Sequence, residues 1–518
     1  MEELEILPSG LKEIVKDQDS GLEVRIYYLE CLAQATYIIA HEGKAFIVDP
    51  RRDVDTFIQE LNALGAKLIG ILETHFHADF VSGHNELMQR TQAPIYFGPT
   101  AGPRCQFPHH ELKDEEIIKF SSRYSIKVLH TPGHTPEAVV YLLIDTSNND
   151  RPIKAFTGDT LFIGSCGRPD LVGSVGFTAE QMARMMFETL RSKICSLPSD
   201  VQIFPAHGAG SPCGKNLSTD LYSTIGKEMQ TNPALKFTDE DKFVKFLTDG
   251  QPAAPGYFSH DVAQNTAGAL PLSEVLSKIP RLTSDQFKLI VDNNTADYTV
   301  IDTRNPEEYN TGYIEGSLNF PLGESGGAIL RPEDGNFAIW VGTLLLSNRN
   351  LLLIAKPGKE GEALQRLARI GYTNVKGILK NGMTDWIQSG YPVHATQRID
   401  IRPGHGTSLQ DLVSNGYHVI DVRTKQEHEG NTVKGSHNVP LNEIYSHLEE
   451  LDKSRRYLAF CSTGYRSVIT VSILRASGID AVDVIGGFAA ASVYAPDLTT
   501  SGKVCPAMKS MIDKLEAA

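Results

Sequence analysis

The sequence has no CxxC pair, and its 7 cysteines are scattered and odd in number. That excludes a disulfide framework and points to free thiols in a reducing compartment. No apolar run is long enough to span a bilayer. Basic residues are in deficit: Lys and Arg number 49 against 63 Asp and Glu, a formal net charge of −14. A balance of that sign argues against a nucleic-acid or anionic-membrane surface. The start, Met1-Glu2-Glu3-Leu4-Glu5, is acidic and looks like neither a signal peptide nor an Arg-rich transit peptide. A cytoplasmic location is the expectation, and self-association into a homo-oligomer is left open. With 41% apolar and 22% charged residues, the composition is that of a soluble globular protein. A chain of 518 residues is too long for one core, so about two to four domains are expected.

What is present begins with Thr74-His75-Phe76-His77-Ala78-Asp79-Phe80. It follows Lys67 to Leu72, an apolar run short enough to read as a buried strand. Alternation along an extended segment puts His75, His77 and Asp79 on one side. Imidazole nitrogen and carboxylate oxygen form a ligand set for zinc or iron. Upstream, a turn at Glu42-Gly43 between two apolar runs predicts a hairpin. Asp53 to Leu64 reads as a helix with an Asp cap, ending at Gly65. A further helix is expected over 83–90. Three more strand ends carry ligand-type residues: Thr131-Pro132-Gly133-His134-Thr135, Gly158-Asp159 and Pro205-Ala206-His207. Ligands gathered from several strand ends are how a sheet builds a metal site.

The order HxHxD, PGH, GD, PAH resembles the metallo-β-lactamase superfamily over about the first 250 residues. The resemblance implies a four-layer αββα sandwich. The stretch Phe162 to Asp170 and the surround of His134 look like the persulfide dioxygenase branch. Binuclear hydrolases of the glyoxalase II kind carry a His directly after the motif Asp. Here that residue is Phe80, which has no lone pair for a metal. A mononuclear centre is therefore favoured. By resemblance it is one ferrous iron per chain held by His77, His134 and Asp159, with zinc as the alternative metal. Two His and one carboxylate make a facial triad with open positions. His75, Asp79 and His207 would then be outer residues that orient ligands or water. Arg168 and Thr135 are the expected substrate contacts, with Arg168 holding a carboxylate or developing anionic oxygens. Cys166 reads as a redox-sensitive bystander. From about 232 to 271 the composition is that of a Pro- and Gly-rich connector packed on the first domain.

An internal repeat follows. Val300-Ile301-Asp302-Thr303-Arg304 matches Val419-Ile420-Asp421-Val422-Arg423. At the same offset Gly316-Ser317, Asn319 and Pro321-Leu322 match Gly435-Ser436, Asn438 and Pro440-Leu441. Alternating strands and helices in each copy predict a small α/β domain with a parallel sheet. The pattern resembles the rhodanese domain. The expected division is a metallo-β-lactamase-like domain at 1–265, an inactive rhodanese unit at 270–397 and an active one at 398–518. In the second unit Cys461 stands in a loop between a strand and a helix. Backbone amides, the helix N-terminus and Arg466 there favour a thiolate. In the first unit the corresponding position falls on Ala355 or Ile354, and neither is a nucleophile.

This organisation implies a persulfide dioxygenase joined to a sulfurtransferase. A thiol persulfide such as glutathione persulfide reacts with O2 to give sulfite and thiol, and Cys461 carries sulfane sulfur toward or away from thiosulfate. The alternative is a binuclear thioester hydrolase of the glyoxalase II kind.

Overall fold

The structure is a computed structural model and describes residues 10–171, 176–215, 217–251, 253–293, 297–323 and 337–500. The chain divides into two compact units. Among the described residues, one comprises those up to Ser277 together with Gln365–Thr373; the other comprises Lys278–Leu364 and those from Asn374 to residue 500.

Two sheets make the first unit. One has seven strands in chain order, from Leu11–Lys16 to His110–Glu111. Its first four strands are antiparallel and its last three join in parallel. The hairpin at Glu42-Gly43 forms, with φ of 51° and 68°. Two consecutive positive values make the tight turn that matches strand twist. The second sheet has six strands in the order Ser223–Thr224, Gln202–Pro205, Arg151–Gly158, Val139–Asp145, Tyr124–His130, Ile117–Lys119.

Alternating side chains bury the space between the sheets. Val24, Ile26, Tyr37 and Ile39 from one sheet meet Ile126, Val128, Tyr141 and Phe156 from the other. The opposite faces are covered by helices. Asp55–Leu64 contributes Phe57 and Leu61 against Ile38, Ile47 and Ile71. Ala179–Thr189 and Glu240–Thr248 contribute Met186 and Phe243 against Leu142 and Ile203. Each such aromatic or aliphatic side chain contributes about 1.5–3 kcal/mol on burial, so both faces of both sheets are held. The outcome is the expected helix–sheet–sheet–helix sandwich.

Two local expectations are corrected. The helix begins at Asp55, and Asp53 does not cap it: the cap position is Val54, without a side-chain bond. The Asp53 carboxylate is instead taken by the guanidinium groups of Arg51 and Arg369. The stretch from 232 to 271, expected as a connector packed on the first domain, does pack there but is largely helical. It holds the helices Glu240–Thr248 and Phe258–Ala267. From the latter, Asn265 donates to the carbonyls of His77 and Phe80 and accepts from the Ser82 amide. The helix expected at 83–90 is observed at His84–Thr91.

The second unit contains two sheets, both parallel throughout. Five strands run in the order Arg281–Leu282, Val375–Leu379, Asn350–Ile354, Tyr298–Asp302, Leu318–Asn319. Four run in the order His437–Asn438, Tyr417–Asp421, Arg456–Phe460, Asp480–Asp483. The sequence repeat is a repeat of hydrogen bonds. Arg304 forks onto Asp302 as Arg423 does onto Asp421. Asn319 donates to the carbonyls of 302 and 304, and Asn438 to those of 421 and 423. Among the described residues no helix is long and apolar enough to cross a membrane.

Candidate metal centre and sulfur-transfer loop

The strands Lys67–Leu72, Tyr124–His130, Arg151–Gly158 and Gln202–Pro205 end near one another and deliver the four motifs. Donor atoms of His75, His134 and Asp159 lie within 4.8 Å of each other. His134 Nε2 is 3.3 Å and His75 Nε2 is 4.0 Å from Asp159 Oδ2. The neighbouring network sets the tautomers. Thr74 Oγ1 donates to Asp49 and so accepts from His75 Nδ1, at 2.9 Å. His134 Nδ1 donates to the Arg168 carbonyl at 2.8 Å, and His207 Nδ1 to the Ala33 carbonyl at 3.0 Å. With each Nδ1–H occupied, each Nε2 keeps its lone pair for the interior.

Both Asp159 oxygens are buried without a hydrogen-bond partner. A carboxylate so placed costs several kcal/mol unless a cation or proton compensates it. Two imidazole nitrogens and that carboxylate fit a metal ion. Gly158 makes the approach feasible: its φ is 49°, and a Cβ there would lie 2.6 Å from Thr74 Oγ1.

The expected triad is corrected at one position. The cluster takes the first His of the motif, His75, not His77. His77 Nε2 lies 3.1 Å from Asp49 Oδ1 and 3.4 Å from Glu73 Oε2. The strand stops at Leu72 and the chain bends at Thr74 and His75, so two-residue alternation no longer governs direction. Phe80 packs its ring 4.3 Å from that of His77. Asp79 and His207 sit beside the cluster, 3.3 Å apart.

A cavity of about 290 Å³ opens at His134 and Thr135 and is walled by Phe76, Arg104, Glu137 and Phe258. Thr135 lines this cavity, and its Oγ1 lacks a hydrogen-bond partner. Arg168 does not line it. Its buried guanidinium forks onto Asp170 at 2.7 and 2.6 Å. It acts on the centre through its carbonyl, which fixes His134. The cation at the cavity wall is Arg104, 4.5 Å over the Phe76 ring and 3.2 Å from Glu137. No spacing in the sequence singles out Arg104 or Glu137; only folding brings them to His134. Cys166 is buried and its thiol is pushed up to about 12 by burial, so it is no redox bystander.

In the second rhodanese-type sheet, the strand Arg456–Phe460 ends at Cys461 and the helix Tyr465–Ala476 starts just beyond. The Gly464 amide donates to Cys461 Sγ at 3.0 Å, and Ser467 Oγ lies 3.6 Å away. Gly487 closes the loop from behind, where a Cβ would meet the Cys461 carbonyl at 2.3 Å. Arg466 carries a partner that sequence reasoning missed. Its guanidinium forks onto Glu427 at 2.8 and 2.7 Å and donates to Ser462. Burial opposes ionisation of Glu427, but Arg466 outweighs it and holds the carboxyl at about 2. The positive charge near the sulfur is thus largely balanced, and the amide is its direct donor. In the first repeat, Asp302 pairs with Ile354 as Asp421 pairs with Phe460. Ala355 therefore occupies the position of Cys461.

The Metallo-beta-lactamase superfamily matches residues 29–207, and the Rhodanese-like domain matches 283–389 and 407–492. The crystal structure of a metallo-beta-lactamase from Staphylococcus aureus subsp. aureus COL is 32% identical. It aligns over 69% of this chain and 98% of its own, with a TM-score of 0.59. This chain belongs to the metallo-β-lactamase superfamily. It is an enzyme of that superfamily in which the metal-type domain is followed by two rhodanese-like domains. A hydroxyacylglutathione hydrolase of Prochlorococcus marinus is 36% identical over 168 residues, 32% of this chain; the match spans only 61% of that enzyme. The mitochondrial persulfide dioxygenase ETHE1 of Homo sapiens is 29% identical over 218 residues, 41% of this chain and 75% of its own.

Proposed function

We propose that the chain oxidises a low-molecular-weight thiol persulfide with O2, at one ferrous iron held by His75, His134 and Asp159. The observation that carries this reading is the two-imidazole, one-carboxylate cluster, with its orphaned carboxylate, beside a cavity that also holds Thr135. The likeness to a persulfide dioxygenase supports it, as does a thiol-bearing rhodanese-like domain in the same chain. The balanced reaction is RSSH + O2 + H2O → RSH + SO3²⁻ + 2H⁺, in which the outer sulfur loses four electrons to O2. Ferrous iron, when bound, supplies the redox chemistry and the open coordination positions that bring O2 and the persulfide together.

The chain's own groups do the rest. Thr74 and the Arg168 carbonyl hold His75 and His134 in the tautomer that ligates. Phe76 and Phe258 keep water from the cavity wall. Arg104 and Thr135 offer a cation and a hydroxyl to the substrate thiol's polar groups.

Cys461 provides the second activity: its thiolate attacks the outer sulfur of thiosulfate, forms Cys–S–S⁻ and releases sulfite, or the reverse. The sequence divides the chain into a dioxygenase-type domain at 1–265 and rhodanese-type domains at 270–397 and 398–518, although residues 266–277 and 365–373 belong to the first compact unit. Asp159→Ala removes the anionic ligand and should abolish persulfide-dependent O2 uptake; unchanged uptake in that variant would refute the assignment.

A further inference from the structure

We propose that Glu427 is a specificity-determining residue of the sulfur-transfer loop. By cancelling the charge of Arg466 it turns Cys461 away from dianionic thiosulfate and toward persulfides of low charge. The proposal rests on the reading of Cys461 as the sulfur carrier and goes beyond it by naming the preferred donor.

Arg466 is fully engaged. Its Nη1 and Nη2 fork onto the two Glu427 oxygens, and Nη2 also donates to Ser462 Oγ. Ser462 Oγ in turn donates to Glu427 Oε1 at 2.9 Å. Glu427 therefore grips the loop at two points, the residue after Cys461 and the arginine. The carboxylate is itself held. It accepts from the Thr424 amide and hydroxyl, each at 2.9 Å, within the capping box that opens the helix Lys425–Gly430. Although burial opposes it, Arg466 holds the carboxyl at about 2, so Glu427 is an anion throughout the neutral range. A second guanidinium reaches the loop with the same outcome. A Cβ at Gly464 would lie 3.4 Å from Arg398 Nη2. Arg398 is buried and spends Nε and Nη2 on Asp483 and Nη1 on Glu307. Two guanidiniums are thus matched by three carboxylates. What faces the sulfur directly is neutral: the Gly464 amide at 3.0 Å and Ser467 Oγ at 3.6 Å.

Thiosulfate brings two negative charges, and the group that recognises such an oxyanion is an uncommitted guanidinium fork. Here the fork is already filled by a carboxylate of the chain itself. A persulfide brings at most one charge at its reacting end and needs only the amide and the hydroxyl. Transfer from it balances as Cys461–S⁻ + RS–SH → Cys461–S–SH + RS⁻. The thiolate pair forms the new S–S bond, the old S–S bond breaks, and its electron pair leaves on RS⁻ with no net oxidation.

The test is the rate at which full-length protein loads sulfane sulfur onto Cys461, read by quenched mass spectrometry, with thiosulfate and with glutathione persulfide as donors. Wild type should load faster from the persulfide. Glu427→Gln keeps the capping box, where glutamine also serves, and releases the charge of Arg466. The ratio of the two rate constants should then shift toward thiosulfate by about tenfold, the lower end of what charge of one sign in a cleft does to association. Glu427→Asp keeps the charge and should restore the wild-type preference. A merely loosened loop would slow both donors together and leave the ratio where it was. Should Glu427→Gln fail to fold, the salt dependence of the wild type decides. Loading from thiosulfate should stay nearly flat between about 0.05 and about 0.5 M salt, because a balanced pair leaves little attraction to screen. A steep fall with salt, an unchanged ratio in Glu427→Gln, or equal or faster wild-type loading from thiosulfate overturns the proposal. Loading from both donors with an unchanged ratio defeats the proposal alone. Loading of Cys461 from neither donor defeats the carrier reading, and the proposal falls with it.

Discussion

Nε2 of His134 lies 3.3 Å from Oδ2 of Asp159, although 25 residues separate them in the chain and neither has another use for the facing atom. His134 spends its Nδ1–H on the Arg168 carbonyl, and Asp159 accepts no hydrogen bond. A base and an anion brought together in this way, with His75 alongside, are arranged around a cation. The predictions follow from what each neighbouring side chain is already bound to.

His75→Ala should lower affinity for the metal by more than the roughly 10- to 100-fold that loss of an outer partner costs. The fold should be little affected. His77→Ala should do the reverse. It leaves Asp49 and Glu73 buried without their shared imidazole, a change worth about 3–5 kcal/mol when a buried pair is broken. Metal analysis beside thermal unfolding of both variants checks this. Loss of metal in His77→Ala with unchanged stability would restore His77 as the ligand.

Arg168→Lys should lower stability, because a lysine cannot fork onto Asp170. The Michaelis constant for a persulfide should change little. Arg104→Ala, at the cavity wall, should raise that constant by about tenfold, the effect of about 1.4 kcal/mol of lost binding. Steady-state oxygen uptake on both variants separates the two roles.

Cys461→Ser should abolish sulfur transfer between thiosulfate and a thiol while leaving oxygen uptake on free glutathione persulfide mostly intact. Mass spectrometry after treatment with a sulfane donor should find one added sulfur on the peptide holding Cys461. The Cys166 peptide should stay unmodified by iodoacetamide at about pH 8, because a thiol pushed up to about 12 is almost wholly protonated there. Alkylation of Cys166 in the folded protein would contradict its placement.

Glu427 gives a pH dependence with a defined sign. A carboxyl held at about 2 when folded and near 4.3 when unfolded stabilises fully above the higher value and ceases to do so as pH falls through the lower. Glu427→Gln should therefore lower the melting temperature of the sulfur-transfer domain equally at about pH 6 and about pH 8. The difference should shrink only below about pH 4. The half-exposed position keeps the effect small.

Much of this was legible because it is local. A short apolar run followed by a turn and a ligand-type residue identifies a strand end, and His134, Asp159 and His207 all stand at strand ends as read. The repeat was legible because Asp302, Arg304 and Asn319 bond to one another within a single short segment, as do Asp421, Arg423 and Asn438. The misreadings are tertiary. The resemblance put the ligand at His77, and alternation set His75 and His77 on one side; the strand ends at Leu72, so the two imidazoles join different clusters. Composition read 232–271 as a connector, although Asn265 in it holds the carbonyls of His77 and Phe80. Arg168 was read as a substrate contact, but its guanidinium forks onto Asp170 two residues on, and only folding brings its carbonyl to His134. Register, not sequence alignment, decided that Ala355 replaces the thiol in the first repeat.

The central claim is that the His75, His134, Asp159 centre oxidises a persulfide with O2. The most direct measurement is O2 consumed against sulfite formed when iron-loaded protein meets glutathione persulfide. The account predicts one sulfite per O2 with release of glutathione, and no such reaction in Asp159→Ala. No O2 uptake by the iron-loaded wild type, together with rapid hydrolysis of lactoylglutathione by the same preparation, would contradict it.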